Sequence, residues 1–344
     1  MRFFIPGFKE GGFFVSSGIK TIISLTGLLI ITTGMRESGY FSSLTRSIIK
    51  RYKTERGISL FMVLVSVFLS TFLTNDIALF IVIPLTLFFK KYLREKTSVL
   101  IIFEAIGVNV GSSLTPIGNP QNLFLWHLWG ISFIKFVFVM LPLFFLLIFV
   151  LLGFIFLSFK KKKIIFEEEK IEEKCSKDLL IFSIFALIVF TISIERDFIF
   201  MVFPLFFLYL IFWKKVVLRT DWKLPVFFAG IFLVFHFLSE LSFISRLFLG
   251  LNLSSSYKNS FLSSVFLSQI MSNVPATIVI SKFSNLYKPI AYGVNVGGNG
   301  IIFSSFANLI ALRLSKDIKV LKIFHKYSIP YLFISTFLSL IFFY

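Results

Sequence analysis

Apolar runs of about 16 to 27 residues recur from residue 13 to residue 344, separated by short charged segments. A helix needs roughly 20 apolar residues to cross the hydrocarbon of a bilayer, and only helices or closed barrels satisfy their backbone there. The chain therefore reads as an all-α polytopic membrane protein. Its 57% hydrophobic content, 19% aromatic, lies well above that of a soluble domain.

The formal charge of +18 invites a nucleic-acid reading, which the placement of the basic residues excludes. Loops 36–56, 90–96, 160–177, 214–223 and 313–326 hold 26 of the 35 Lys and Arg. By the positive-inside rule these loops are cytoplasmic in a cell membrane. Residues 13–35 then cross inward, 99–126 outward, 132–158 inward, 178–194 outward, 198–213 inward, 224–240 outward, 287–312 inward and 328–343 outward, with both termini outside. The expected organisation is a tail 1–12, a first repeat 13–158, a charged loop 159–177 and a second repeat 178–344 with two extra leading spans. No cleavable signal peptide is read in the tail.

Segments 58–90 and 259–286 do not fit single crossings, because each must enter and leave on one side. Divided at Thr74-Asn75-Asp76 and Ser272-Asn273, they leave arms too short to cross, so both are expected to be re-entrant hairpins. That gives about eight full spans plus two hairpins. Trp126, Trp129, Trp213 and Trp222 are expected at the interfaces, and Lys20 and Lys135 are expected to snorkel.

The chain repeats itself. Residues 25–42 align with 228–245 at an offset of 203, matching Gly27 to Gly230 and Glu37 to Glu240. TNDIA at 74–78 aligns with SNVPA at 272–276 at an offset of 198, and GVNVG at 107 with GVNVG at 293 at an offset of 186. The charge rule brings one hairpin in from each side, so the copies are inverted, as in secondary transporters whose broken helices meet inside the bilayer.

Gly107, Gly111 and Gly118, with Pro116 and Pro120, are expected to break the helix of 99–126, and Gly293, Gly297, Gly298 and Gly300 that of 287–312. Uncoiled backbone leaves N–H groups that hold anions and carbonyls that hold cations. Neutral polar groups surround each break: Asn109, Ser112, Ser113, Thr115, Asn119 and Asn122 in the first copy, and Asn295, Asn299, Ser304, Ser305 and Asn308 in the second. Together with Thr74, Asn75, Asp76, Ser272, Asn273, Gly111, Gly118, Gly297 and Gly298 these are the candidate substrate and ion ligands. A small ion could thus be held without a buried countercharge.

Asp76 is an ionisable group at a hairpin tip, a proton carrier or cation ligand by position, with a helix-capping role as the plainer reading. Its counterpart is Val274. Glu104 is a second proton-relay candidate, whereas Glu37 and Glu240 read as interfacial. The scattered His127, His236 and His325 and the single Cys175 supply neither a nucleophile–base pair nor a metal cluster, so no enzyme, cofactor or bound metal is expected beyond a coupling proton, or sodium at the hairpin tips.

In TNDIALFIVIPL, GSSLTPIGNPQNL, SNVPATIVI and GVNVGGNGIIFSSFANL the chain resembles the ion transporter superfamily of arsenite permeases, NhaD-type sodium/proton antiporters and divalent-anion/sodium symporters with a citrate-transporter-like domain. The resemblance covers about residues 20–343. It implies a homodimer with a scaffold and a moving transport domain, Ser-Asn-Thr-like triplets at the hairpin tips, and two discontinuous helices around substrate and sodium. Thr74-Asn75-Asp76 and Ser272-Asn273-Val274 stand where those triplets would be and depart from them, which leans the resemblance toward arsenite-permease-like or antiporter-like members.

Overall fold

The computed structural model describes residues 11–40, 52–164, 175–238 and 256–344. Glu240 and most of the charged run after Lys163 lie outside the described residues, so the Glu37–Glu240 match has no structural counterpart here. The described residues are mostly helical and hold no strand, with one isolated antiparallel bridge, between Thr54 and Lys163, that docks the start of the charged loop on the start of the first hairpin.

Among the described residues, five helices are long and apolar enough to span a bilayer. They are α1 (Gly11–Glu37), α2 (Glu55–Phe72), α7 (Phe133–Ser158), α8 (Lys177–Glu195) and α16 (Ile318–Phe343). The expected span 198–213 is shorter than a straight crossing needs: the 3-10 turn Ile199–Met201 runs into α9 (Val202–Phe212), and together they are shorter than the five helices above. Lys214 and Lys215 follow at once, opening the short basic helix α10 (Lys214–Arg219) before α11 (Lys223–Leu238).

Both hairpins form. Arm α2 returns as α3 (Asn75–Phe88), and α12 (Tyr257–Met271) returns as α13 (Asn273–Phe283). The first arm is longer than expected because it begins with Glu55, Arg56 and Gly57 at the basic rim, where Arg56 donates to the carbonyls of Phe159 and Phe156. Leu73 and Thr74 join the first pair of arms, but Ser272 alone joins the second and must take φ +73. A non-glycine residue held there stores about 1–3 kcal/mol of strain.

Each expected discontinuous helix is broken. The first consists of α5 (Lys96–Ser112) and α6 (Pro120–Trp129), preceded by the single turn α4 (Lys90–Leu93). The second consists of α14 (Tyr287–Gly297) and α15 (Phe306–Ser315), with one 3-10 turn at Ile302–Ser304.

The copies interlock. Arm α2 packs along α5, and α12 packs along α14 in the same way. Helix α15 of the second copy then lies against α3 and α5 of the first, and α6 of the first against α13 and α14 of the second. Helices α7 and α16 close one flank, while α1 and α11 cover the other, α1 resting on α6 and α8 and α11 on α13.

The glycines explain how close that packing is. A Cβ on Gly107 would approach Val63 and Ser66, and one on Gly293 would sit 2.5 Å from the Phe261 carbonyl oxygen and the Ser264 Cβ. Phe261 and Ser264 are Val63 and Ser66 displaced by 198, so the same contact is made twice. A Cβ on Gly111 would run into the Val67 carbonyl oxygen and the Ser70 hydroxyl, and one on Gly297 would lie 2.7 Å from the Ser268 Cβ. Helix α5 therefore runs straight through Gly107 and Gly111, correcting the expectation that they break it. Helix α14 likewise runs through Gly293 to Gly297. These four glycines let neighbouring backbones touch; the chain uncoils only beyond them, where no arm supports another turn.

The Gly27–Gly230 match has unlike surroundings. Gly27 lies under the Phe190 ring, whereas Gly230 has nothing within 4 Å. Trp126 is 4% exposed and its indole N–H donates to the Ile131 carbonyl, so it is a core residue and not an interfacial anchor. Lys20 does not snorkel alone but pairs with Asp197 at 2.6 Å. Glu37, at the end of α1, is joined to Arg219 at 2.6 Å and to Arg36 at 3.4 Å.

Candidate ion-binding site

The two breaks, 113–119 and 298–305, come together with the two hairpin tips, and nearly every polar residue expected there is buried. Four asparagines tie the breaks to each other. Asn109 donates from Nδ2 to Asn308 Oδ1 (3.1 Å), and Asn295 donates from Nδ2 to Asn122 Oδ1 (2.8 Å). Asn295 is Asn109 plus 186 and Asn308 is Asn122 plus 186, so the second bond is the first with the copies exchanged. Asn119 Nδ2 donates to Asn295 Oδ1 (3.2 Å), and its counterpart Ser305 donates from Oγ to Asn109 Oδ1 (3.0 Å). Paired exchanges of this kind are what a two-fold relation between the copies produces.

Each break is also held internally. Asn122 Nδ2 stands 3.1–3.2 Å from the carbonyls of Ser112, Ser113 and Thr115, and Asn308 Nδ2 reaches those of Gly298 (3.1 Å) and Ile301 (3.4 Å). These carbonyls lost their helical partners when the chain uncoiled, and a buried carbonyl without a donor costs about 1–3 kcal/mol. Replacing Asn122 by alanine is accordingly expected to lower stability by about 2–4 kcal/mol, with Asn122→Asp no better because a carboxylate offers no donor. Thermal unfolding in detergent, with Asn308→Ala expected to match it, checks this pairing of roles.

The tips dock on the breaks. The Asn75 N–H donates to the Gly118 carbonyl (3.0 Å), and Ser272 Oγ donates to the carbonyl of Ser304, the counterpart of Gly118 (3.4 Å). A Cβ on Gly118 would lie 2.6 Å from the Ser112 carbonyl oxygen, and one on Gly298 would lie 2.9 Å from Asn273 Nδ2. Here glycine is needed for close approach. Ser304 Oγ donates to the Gly298 carbonyl (3.0 Å), and Asn299 Nδ2 to the Asn295 carbonyl (3.1 Å).

Asp76 is 2% exposed in the first turn of α3. It is not the cap: the cap position belongs to Thr74, whose side chain makes no capping bond, and Asn75 Oδ1 accepts from the Asp76 N–H (3.0 Å). At the tips and breaks, two buried oxygens have no hydrogen-bond partner among the described residues, Thr74 Oγ1 in the first copy and Asn299 Oδ1 in the second. Unmet buried oxygen acceptors, together with a carboxylate at the first tip, suit a hard cation such as sodium.

Residues that sequence reasoning missed complete the seal. Thr71 Oγ1 donates to the Gly111 carbonyl (3.2 Å), and Gln269, at Thr71 plus 198, donates from Nε2 to the Gly297 carbonyl (2.7 Å). Thr115 Oγ1 donates to the Thr71 carbonyl (2.6 Å), while Ile301 N–H donates to Gln269 Oε1 (2.9 Å). The positions match but the residue types differ, so self-similarity did not reveal them. His325, expected in a basic loop, instead lies on α16, where its Nε2 accepts from the Ile302 N–H of the second break (3.2 Å).

A family model described as "Citrate transporter" matches residues 3–285. The chain belongs to the citrate transporter family. It is 38% identical to the inner membrane protein YbiR of Escherichia coli (strain K12) over 334 residues, 96% of this chain and 89% of that protein. It is 36% identical to the uncharacterized transporter MJ0456 of Methanocaldococcus jannaschii over 304 residues, 86% of this chain and 81% of that one. A shorter match, 28% over 123 residues, links it to the uncharacterized transporter Mb2703 of Mycobacterium bovis. This citrate transporter family member is thus a multi-pass membrane transporter of a small ion, and not an enzyme.

Proposed function

We propose that the protein is a secondary active transporter of a small anion, of the arsenite/oxyanion or carboxylate class, coupled to sodium or protons through alternating access of a moving transport domain. One observation carries this: helices α3, α6, α13 and α15 all begin where the breaks and tips meet. Each has at least 10 residues, and each N-terminus carries about half a positive charge and N–H groups with no intrahelical partner. Four such ends favour an anion without any lysine or arginine in the site. Asp76 and the unpartnered oxygens of Thr74 and Asn299 then suit the coupling cation. A homodimer in the cell membrane, with basic loops inside and both termini outside, belongs to the same reading.

The test is uptake of arsenite, sulfate, citrate, succinate and sodium into liposomes by the purified protein, compared with Asn75→Ala and Asn273→Ala. Uptake of one anion is expected to exceed the rest and to fall at least about tenfold in both variants, a loss of roughly 1.4 kcal/mol or more in binding. Equal transport by all three proteins would remove the site assignment. The alternative, sodium/proton antiport using Asp76, is favoured by the acid's presence at one tip only; sodium efflux driven by a proton gradient, with no anion required, would select it.

A further inference from the structure

Glu104 lies apart from the uncoiled site, and none of the chemistry above uses it. It sits on α5 with no exposed surface. The hydroxyl of Thr86, on returning arm α3, donates to Glu104 Oε1, while Oε2 has no partner among the described residues. An ionised carboxylate accepts on about four lone pairs and here meets one donor. A charge buried in that way is neutralised by binding a proton instead.

No countercharge among the described residues takes the proton's place. Among the elements packed on α5, helix α2 carries Glu55 and Arg56, held at the rim by the Lys160 N–H and by the carbonyls of Phe159 and Phe156. Ahead of α5, α4 carries Lys90, Lys91 and Tyr92 and the next turn Arg94 and Glu95; Lys96 at the start of α5 donates to the Ser158 carbonyl (2.7 Å), α7 carries Lys135 at its far end, α15 carries Arg313, and α16 carries Lys319, Lys322, His325, Lys326, Tyr327 and Tyr331, with Asp317 at its cap. Glu95 is spent on Lys319 (2.8 Å) and His325 on the Ile302 N–H, and Tyr327 packs on the Phe103 ring. Asp76 is ten residues up α3, about 15 Å away along the helix. Thr86 is the one side chain among the described residues hydrogen-bonded to the carboxyl.

The pair is also particular to one copy. Glu104 plus 186 is Ile290, and Thr86 plus 198 is Ser284, which is hydrogen-bonded to Ser260 at 3.2 Å. Both buried acids of the first copy are thus attached to α3, Asp76 at its start and Glu104 against its end.

We propose that Glu104 is a proton-binding site of the transport cycle, loaded while α3 is packed on α5 and emptied when that arm lifts. The proposal rests on secondary transport as read above. When the arm lifts, the carboxyl O–H bond breaks and the proton passes to water, leaving a hydrated carboxylate. The arm then closes only after a proton is bound again, because the unpaired charge cannot be reburied. Arm movement and proton movement are locked together in this way.

The experiment uses liposomes with wild type, Glu104→Gln and Thr86→Val, and the probes arsenite, sulfate, citrate and succinate. Uptake driven by an inward proton gradient is compared with exchange at equal pH on both sides. Glutamine mimics the protonated acid, so Glu104→Gln is expected to lose gradient-driven uptake at least about tenfold while keeping exchange within about twofold. Thr86→Val, which leaves the carboxyl in place, is expected to keep both. Infrared spectra of the folded proteins supply a second readout: the carbonyl stretch of a buried protonated carboxyl is expected in wild type and weaker in Glu104→Gln. Unchanged gradient-driven uptake in Glu104→Gln would overturn the proposal, as would identical infrared bands. A wild type that moves none of the probes would instead bring down the transport reading on which it rests.

Discussion

Asp76→Asn is expected to uncouple transport while leaving the protein folded. The side chain sits in the first turn of α3, 2% exposed, beside the Thr74 hydroxyl that has no hydrogen-bond partner. Asparagine fills the same volume and keeps one oxygen, so packing is preserved. What it lacks is the charge that draws a cation to this tip. The coupling-ion concentration for half-maximal uptake is expected to rise about 10- to 100-fold, corresponding to about 1.4–2.7 kcal/mol. Unfolding temperature is expected to stay level or rise slightly, since a buried charge is removed. Ion-dependent uptake and thermal unfolding measured on the same preparation check both halves. Uptake with unchanged ion dependence would leave Asp76 a structural residue.

The largest stability effect is expected at Gly111. An alanine methyl there meets the Val67 carbonyl carbon at 2.7 Å, and its oxygen more closely still, so a backbone group and not a flexible side chain is in the way. Helices α2 and α5 would have to separate at the level where the first hairpin tip docks. Gly111→Ala is expected to cost about 3 kcal/mol or more and to reduce the yield of folded protein. Gly153 is the control, being inside α7 with nothing within 4 Å. Gly153→Ala is expected to be neutral or to stabilise by about 0.5–1 kcal/mol, because alanine loses less backbone entropy in a helix. Chemical or thermal unfolding of the two variants side by side decides the matter, and equal stability would mean that α2 and α5 are not in backbone contact.

Both hairpins were legible because a membrane-embedded chain must place its polar residues somewhere the backbone can be satisfied, and Thr74-Asn75-Asp76 and Ser272-Asn273 interrupt otherwise apolar runs. The breaks were legible as regions but not to the residue. Glycine has one signature in sequence and two uses in this fold: Gly118 and Gly298 serve uncoiled backbone, while Gly107, Gly111, Gly293 and Gly297 serve helix contact. Trp126 was misplaced because a tryptophan near a span end reads as an anchor, whereas here Ile131 supplies a partner for its N–H inside the protein. Thr71 and Gln269 went unseen because a hydroxyl and an amide perform the same sealing task, a likeness of geometry and not of residue type.

Sequence alone determined that this chain lives in a membrane, that its folding unit occurs twice, and that four polar interruptions fall inside its apolar runs. Those follow from the hydrocarbon, which tolerates polar backbone only where something answers it, and so forces the pattern into the residues themselves. The tertiary structure decided which copy answers which. Asn109 reaches Asn308 and Asn295 reaches Asn122 across the two-fold relation, and among the described residues Glu104 finds only Thr86. Periodicity fixes which residues share a face of one helix, but not which helix lies opposite that face, and hydrogen bonds between copies depend on the latter.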